Sequence, residues 1–206
     1  RGFKQATVET LAKYSGVPVY NGLTDDYHPT QVLADLQTLE ENFGGCRGQK
    51  LCFVGDGRNH VARSLMVICA KLGICFSVIT PASLNPAKAL VDRCLAAAEA
   101  SGARIAVSAD LDEGKDAAAH YTDVWASMGE ESTKEERVKL LSPYQVNPEL
   151  MERTGRKDTI FLHCLPAIKG EEVTQDLIDG PRSRVWDEAE NRKHTIKAIM
   201  LATLGL

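Results

Sequence analysis

From residue 50 onward, short apolar runs alternate with longer stretches in which apolar residues recur every three or four positions. Runs of the first kind read as buried strands and stretches of the second kind as helices with one apolar face. Leu51 to Val54 is the first strand. A helix follows from about Asn59, with Val61, Leu65, Ile68, Cys69 and Leu72 on one face and Gly73 at its end. Ile74 to Ile79 is a second strand. Pro86 opens a helix carrying Leu90, Val91, Cys94 and Leu95, which Gly102 closes. Strands are expected at Arg104 to Val107, Thr122 to Trp125 and Thr159 to His163. Ser132 and Glu135 form a capping box for an intervening helix, and a last helix runs from about Glu188 to Leu204. Strands separated by helices predict an α/β fold, a doubly wound parallel sheet with right-handed crossovers.

The first 44 residues break this rhythm. They predict a helix over about 4 to 15, one short strand from Val17 to Tyr20, and a helix from Pro29 to Phe43. A single strand cannot make a sheet, so the segment reads as the remnant of a first α/β domain whose beginning is absent. The other reading is that it packs on the main domain.

Composition narrows the class. The chain has 206 residues, 44% hydrophobic and 25% charged, with a net charge of -4, which fits an ordinary globular protein. The charge offers no broad cationic surface for nucleic acid, and no run approaches the ~18 apolar residues of a membrane span. Arg1 is not followed by a signal-peptide pattern. The six cysteines include no CxxC pair, which points to a reducing compartment, the cytoplasm.

Ligands of open parallel sheets bind beyond the carboxyl ends of the strands. Three loops are therefore expected on one rim: Gly55-Asp56-Gly57-Arg58-Asn59, the stretch from Asp123 to Gly129, and His163-Cys164-Leu165-Pro166. The Gly55-x-Gly57 turn lacks the third glycine of a dinucleotide fingerprint, and no acid ends the second strand. Its glycines read as permitting a tight turn, and Asn59 either caps a helix or offers its amide to a ligand. His28 and Gln31 flank a helix start set by Pro29, where an anion or polarised carbonyl is favoured; a capping histidine with a solvated glutamine is the alternative. Arg192 shares the spacing of Ala189, Ile196, Ile199 and Met200, so its charge starts on the core side and needs Glu188, Glu190 or a ligand. Cys164 is either a nucleophile or a lining residue; its neighbour His163 points to the opposite face. Pro166 forces Leu165 into an extended form and leaves the Cys164 and Leu165 carbonyls open to an amide-like NH2. Met128, between Ser127 and Gly129, sits where a backbone N–H could serve a carboxylate. Glu130-Glu131 reads as solvated.

Together, Arg1-Gly2-Phe3, Asn21 to Asp25, His28-Pro29-Thr30-Gln31, Gly55 to Asn59, Asp123 to Gly129, His163-Cys164-Leu165-Pro166 and Glu188 to Arg192 resemble the ornithine carbamoyltransferase family, from the first residue to the last. The resemblance implies a carbamoyl-phosphate domain remnant and linking helix at 1–44. It further implies an ornithine-binding α/β domain, the transcarbamylase second domain, at 45–187, and a helix at 188–206 packing back toward the first domain. The family's Ser-Thr-Arg-Thr phosphate loop would lie upstream of Arg1. The implied reaction joins carbamoyl phosphate and ornithine to give citrulline and phosphate, with no metal or organic cofactor, in a homotrimer. By matched position, Arg1 would hold the phosphate, His28 and Arg192 would polarise the carbamoyl oxygen, and Gln31 with the Cys164 and Leu165 carbonyls would orient the carbamoyl NH2. Asn59, Asp123, Ser127 and the Met128 backbone would hold the α-groups of ornithine, and Cys164 would lie near its δ-nitrogen. The rivals are a carbamoyltransferase for putrescine or an N-acylated ornithine, and a non-catalytic α/β binding module.

Overall fold

The computed structural model describes residues 1–126 and 134–206. Helices α1 (Gln5–Tyr14) and α2 (Pro29–Phe43) lead into β1 (Lys50–Val54), α3 (His60–Leu72), β2 (Cys75–Ile79), α4 (Lys88–Ser101), β3 (Ile105–Ser108) and β4 (Ala119–Thr122). Helices α5 (Lys134–Leu141) and α6 (Pro148–Arg153), strand β5 (Ile160–His163), and helices α7 (Gln175–Ile178) and α8 (Val185–Leu204) complete the order. The five strands form one parallel sheet ordered β3-β2-β1-β4-β5. Chain order reverses between β1 and β4, so the crevice for a ligand opens at their carboxyl ends.

Side-chain alternation along the strands builds two cores. Leu51, Phe53, Phe76, Tyr121 and Leu162 face one way, onto Leu65 and Cys69 of α3, Leu90 of α4, and Val32 and Leu39 of α2. Cys52, Val54, Ile79 and Phe161 face the other way, onto Leu150 and Met151 of α6, Leu177 and Val185. Helix α2 thus shares its core with the sheet.

Several expectations are corrected. No strand forms at Val17 to Tyr20; Val17 and Tyr20 are exposed and Pro18 has no N–H to pair. The fourth strand lies three residues earlier than expected. Its ladder ends at Thr122 opposite His163, and the next N–H but one, that of Val124, goes to the Asp123 side chain at 2.8 Å. The fourth helix starts at Lys88, not Pro86, and the last at Val185, not Glu188. Leu72 and Leu95 are exposed, outside their helices' buried faces. The inward face of α8 runs through Val185, Glu188 and Asn191, while Ala189 and Met200 face outward. The apolar spacing misread it because two of the inward residues are polar. Short helices α6 and α7 carried too little periodicity to be foreseen. Ser132 of the expected capping box lies outside the described residues. Among the described residues, no helix is long and apolar enough to cross a membrane.

Candidate active site

Beyond β1, the backbone of Gly55 takes φ 138°, which L side chains rarely adopt. A Cβ on Gly57 would lie 2.8 Å from the Leu84 carbonyl oxygen. Both glycines therefore serve the tight turn. Asn59 caps α3, its Oδ1 accepting from Val61 N at 2.7 Å. That leaves its Nδ2 to donate to Asp123 Oδ2 at 2.9 Å, which ties the loop after β1 to the loop after β4.

Asp123 is buried. Besides Asn59 it accepts from Val124 N and from the Cys164 thiol at 3.3 Å. His60 Nε2 stands 3.7 Å away, but burial lowers the pKa of that imidazole, outweighing the pull of Asp123. The carboxylate thus meets neutral donors and no full positive charge among the described residues. The Cys164 thiol is pushed well up by burial and by the Asp123 and Glu188 carboxylates, so it stays protonated and makes a poor nucleophile.

Leu165 departs from expectation. Its φ is 56°, in the left-handed region, and the Leu165–Pro166 peptide is cis; it is not extended. The Leu165 N–H turns back to His163 Nδ1 at 2.9 Å, which is the contact that folds the residue over. His163 Nε2 faces Glu172 Oε1 at 3.3 Å. Asp123, His163 and Cys164 bring potential metal-ligand atoms within 4.8 Å of one another, yet both ring nitrogens of His163 are engaged. No hydrogen bond among the described residues ends on the Cys164 or Leu165 carbonyl.

His28 and Arg192 line the same cleft. His28 precedes α2, its N–H donating to Ser64 Oγ at 2.8 Å. Arg192 Nη1 lies 3.3 Å from His28 Nε2 and donates to Gln31 Oε1 at 3.1 Å. Burial, then the Arg192 charge, push His28 down to about 3. Its ring is therefore neutral near pH 7, with Nε2 accepting from Arg192 and a buried Nδ1 that has no partner. The expected counter-ions of Arg192 are not used: Glu188 turns inward to Gln31 and Tyr121, and Glu190 pairs with Lys193.

Seven predicted residues, Arg1, His28, Asn59, Asp123, Cys164, Leu165 and Arg192, line one cleft of about 920 Å³. Gln31 stands behind its wall, 1% exposed. Ser127 and Met128 lie outside the described residues. The sequence reading missed Asp56 and Arg137: Asp56 pairs with both Arg58 and Arg137 at the cleft rim. Nothing in the spacing of α5 marked Arg137. Asp35 was also missed, although it lies four residues from Gln31, one helical turn on, and accepts from it. Among the described residues of the cleft, the buried Asp123 meets neutral donors and Arg192 is held by neutral partners.

Comparison with known proteins identifies the family. Residues 47–203 match the Asp/Orn binding domain of aspartate/ornithine carbamoyltransferase, and residues 1–41 match the carbamoyl-P binding domain of the same family. An ornithine carbamoyltransferase of Pseudothermotoga lettingae is 64% identical over 205 residues, covering 99% of this chain and 66% of the relative. A catabolic ornithine carbamoyltransferase of Staphylococcus aureus is 51% identical over 223 residues, covering 100% and 66%. The solved ornithine carbamoyltransferase of Pyrococcus furiosus superposes with a TM-score of 0.92 at 47% identity, covering 98% of this chain and 64% of that one. The chain therefore spans about 66% of the length of the curated relatives it matches. On the two domain matches and the shared sheet, the chain belongs to the aspartate/ornithine carbamoyltransferase family.

Proposed function

We propose that the protein containing this chain transfers the carbamoyl group of carbamoyl phosphate to the δ-amine of ornithine, giving citrulline and phosphate. The observation that carries this reading is the pair of opposed charges in the cleft. Asp123 suits an α-ammonium, while Arg192 beside neutral His28 suits an oxygen that gains negative charge. The names of the relatives support the same substrates.

Ornithine's δ-amine has a pKa near that of Lys, ~10.4, so the cleft must favour its neutral form by exclusion of water and by nearby cations. Attack on the carbamoyl carbon moves charge onto the carbamoyl oxygen. Donors aimed there by Arg192 would contribute ~3 kcal/mol each, and His28, whose Nε2 accepts from Arg192, would help to polarise the oxygen by holding the guanidinium in place. Arg1, on the cleft wall, would meet the departing phosphate. The free Cys164 and Leu165 carbonyls would accept from the carbamoyl NH2, and holding both substrates in line removes much of the entropic barrier. Gln31 would act on this group through Arg192, since its only acceptor, Oε1, is already taken by the guanidinium and the side chain is buried. Asn59 would help to hold ornithine beside Asp123, with Ser127 and the Met128 backbone at its carboxylate. Direct attack by the amine leaves the Cys164 thiol no covalent role.

A panel of amines tests the reading in the intact protein. Ornithine should be carbamoylated in preference to putrescine, which has no α-groups for this wall, and to N-acetylornithine, whose α-nitrogen carries no charge. Preference for either rival would end the reading, and binding of a nucleotide without carbamoyl transfer would favour a binding module. We further propose a homotrimer in the cytoplasm. All six cysteines are free thiols, which suits a reducing compartment, and sedimentation equilibrium would read the oligomeric state.

A further inference from the structure

Behind the Arg192 wall, two carboxylates are enclosed together. Asp35 of α2 and Glu188 of α8 are both 0% exposed, and among the described residues neither forms an ion pair. The two amide hydrogens of Gln31 Nε2 divide between them, 2.9 Å to Asp35 Oδ1 and 2.8 Å to Glu188 Oε1. Glu188 Oε1 also accepts from the Tyr121 hydroxyl at 2.9 Å, and its Oε2 from His163 N at 2.9 Å. Every acceptor of Glu188 is therefore met by a donor. Asp35 Oδ2 is buried with no donor at all.

Two ionised carboxylates cannot share such a pocket cheaply, whereas one proton between them removes the repulsion. The oxygen that lacks a donor is the natural place for it. We propose that Asp35 and Glu188 are positioning residues that hold one proton between them at neutral pH, Asp35 as the acid and Glu188 as the carboxylate. Together they lock the Gln31 amide with its oxygen toward Arg192. A flipped amide would aim Gln31 Oε1 at Glu188 and leave Arg192 facing an NH2 group. The lock holds the guanidinium beside His28.

The groups facing the pair come from every packed element. Arg192 and Gln31 face it from α8 and α2, Tyr121 from β4, Cys164 together with the His163 N–H and imidazole from the end of β5, and Cys69 from α3. Arg192 draws the Asp35 pKa down, but burial and the Glu188 charge outweigh it and hold it well above the usual carboxylate range.

The proton is independent of the proposed reaction, while the effect on turnover rests on that reading. Infrared spectroscopy of the intact protein at pH 8, with aspartate labelled with 13C at its carboxyl carbon, should show the C=O stretch of one protonated acid. Asp35→Asn, which keeps an acceptor for Gln31 and a donor for Glu188, should fold with its melting midpoint within about 4 °C of the parent and lose that band. No band in the parent, or a band that survives Asp35→Asn, would overturn the shared proton. Glu188→Gln places an NH2 group among donors. It should lower kcat about tenfold or more while KM for ornithine shifts less than about threefold. An unchanged kcat in folded Glu188→Gln would overturn the positioning role. If that variant does not fold, the infrared comparison still decides the proton. Absence of carbamoyl transfer in the parent would sink the proposed function and leave the infrared result standing.

Discussion

Arg192 carries a full charge against two neutral partners, His28 and Gln31, so its removal should cost activity more than stability. Arg192→Ala is expected to lower kcat by about 10²–10³. A thermal melt should move little, because no ion pair among the described residues is broken. Arg192→Lys, which keeps the charge and loses the planar fork, should recover only part of the rate. Rates of citrulline formation together with melting curves check both. Buried histidines are expected to make the fold lose stability in acid. His120 is fully buried, with no partner on either ring nitrogen among the described residues, and burial pushes it down to about 4 from 6.5. Between those values the unfolded chain binds the proton and the native chain does not, so stability falls as pH falls from 6.5 to 4. A shift of this size corresponds to at most about 3 kcal/mol at 1.36 kcal/mol per pH unit. His28, depressed in the same sense, adds to the slope. Chemical denaturation of His120→Gln across this range should show a flatter dependence than the parent; an equal slope would refute it. At this scale the sequence was informative about residue types. The motifs identified seven residues that do line the cleft. It was silent on partners, because Glu188 and Glu190 look equally available to Arg192 along one helix and only packing turns one of them inward.

At the scale of elements, the loop after β1 is the most constrained piece. Gly57 lies so close to the Leu84 carbonyl, Pro86 and Val78 that a methyl carbon on its Cα would sit within 3.0 Å of all three. Gly57→Ala should therefore force the turn away from β2 and cost about 1–3 kcal/mol, read as a melting midpoint several degrees lower. It should also weaken ornithine binding, since Asn59 two residues on is tied to Asp123. The helix starts and stops were legible where the chain carries explicit signals. Pro29 opens α2, Asn59 caps α3, and Gly44, Gly73 and Gly102 close three helices in the left-handed region. Boundaries slipped where a signal was ambiguous. Val124 and Trp125 are good strand residues, but the Asp123 side chain takes the Val124 N–H and the sheet has already ended.

The whole molecule is arranged around the reversal of strand order between β1 and β4 and the return of α8 across α2. Asn191 anchors that return, its Nδ2 donating to Thr38 Oγ1 at 3.0 Å and to Glu41 Oε2 at 2.8 Å. Asn191→Leu would leave the buried Thr38 hydroxyl without this donor and place apolar bulk against the Glu41 carboxylate. A loss of about 1–3 kcal/mol is expected, with a fall in kcat, because the neighbouring Arg192 depends on the same seating. Unchanged turnover in a destabilised variant would separate the two helices' packing from the site.

The layer architecture, most helix ends and the chemical types gathered in the loops were legible along the chain. Those follow from periodicity, turn residues and short motifs, each of which acts within a few positions along the chain. Packing between distant segments set how Arg192 meets His28 across 164 positions and how Gln31 meets Glu188 across 157. It also decided that Asp35 completes the group and that Leu165 folds back on His163. Such pairings depend on which helix face is buried against which, and a buried polar face obeys the demand for hydrogen-bond partners rather than the apolar spacing that one-dimensional reading detects.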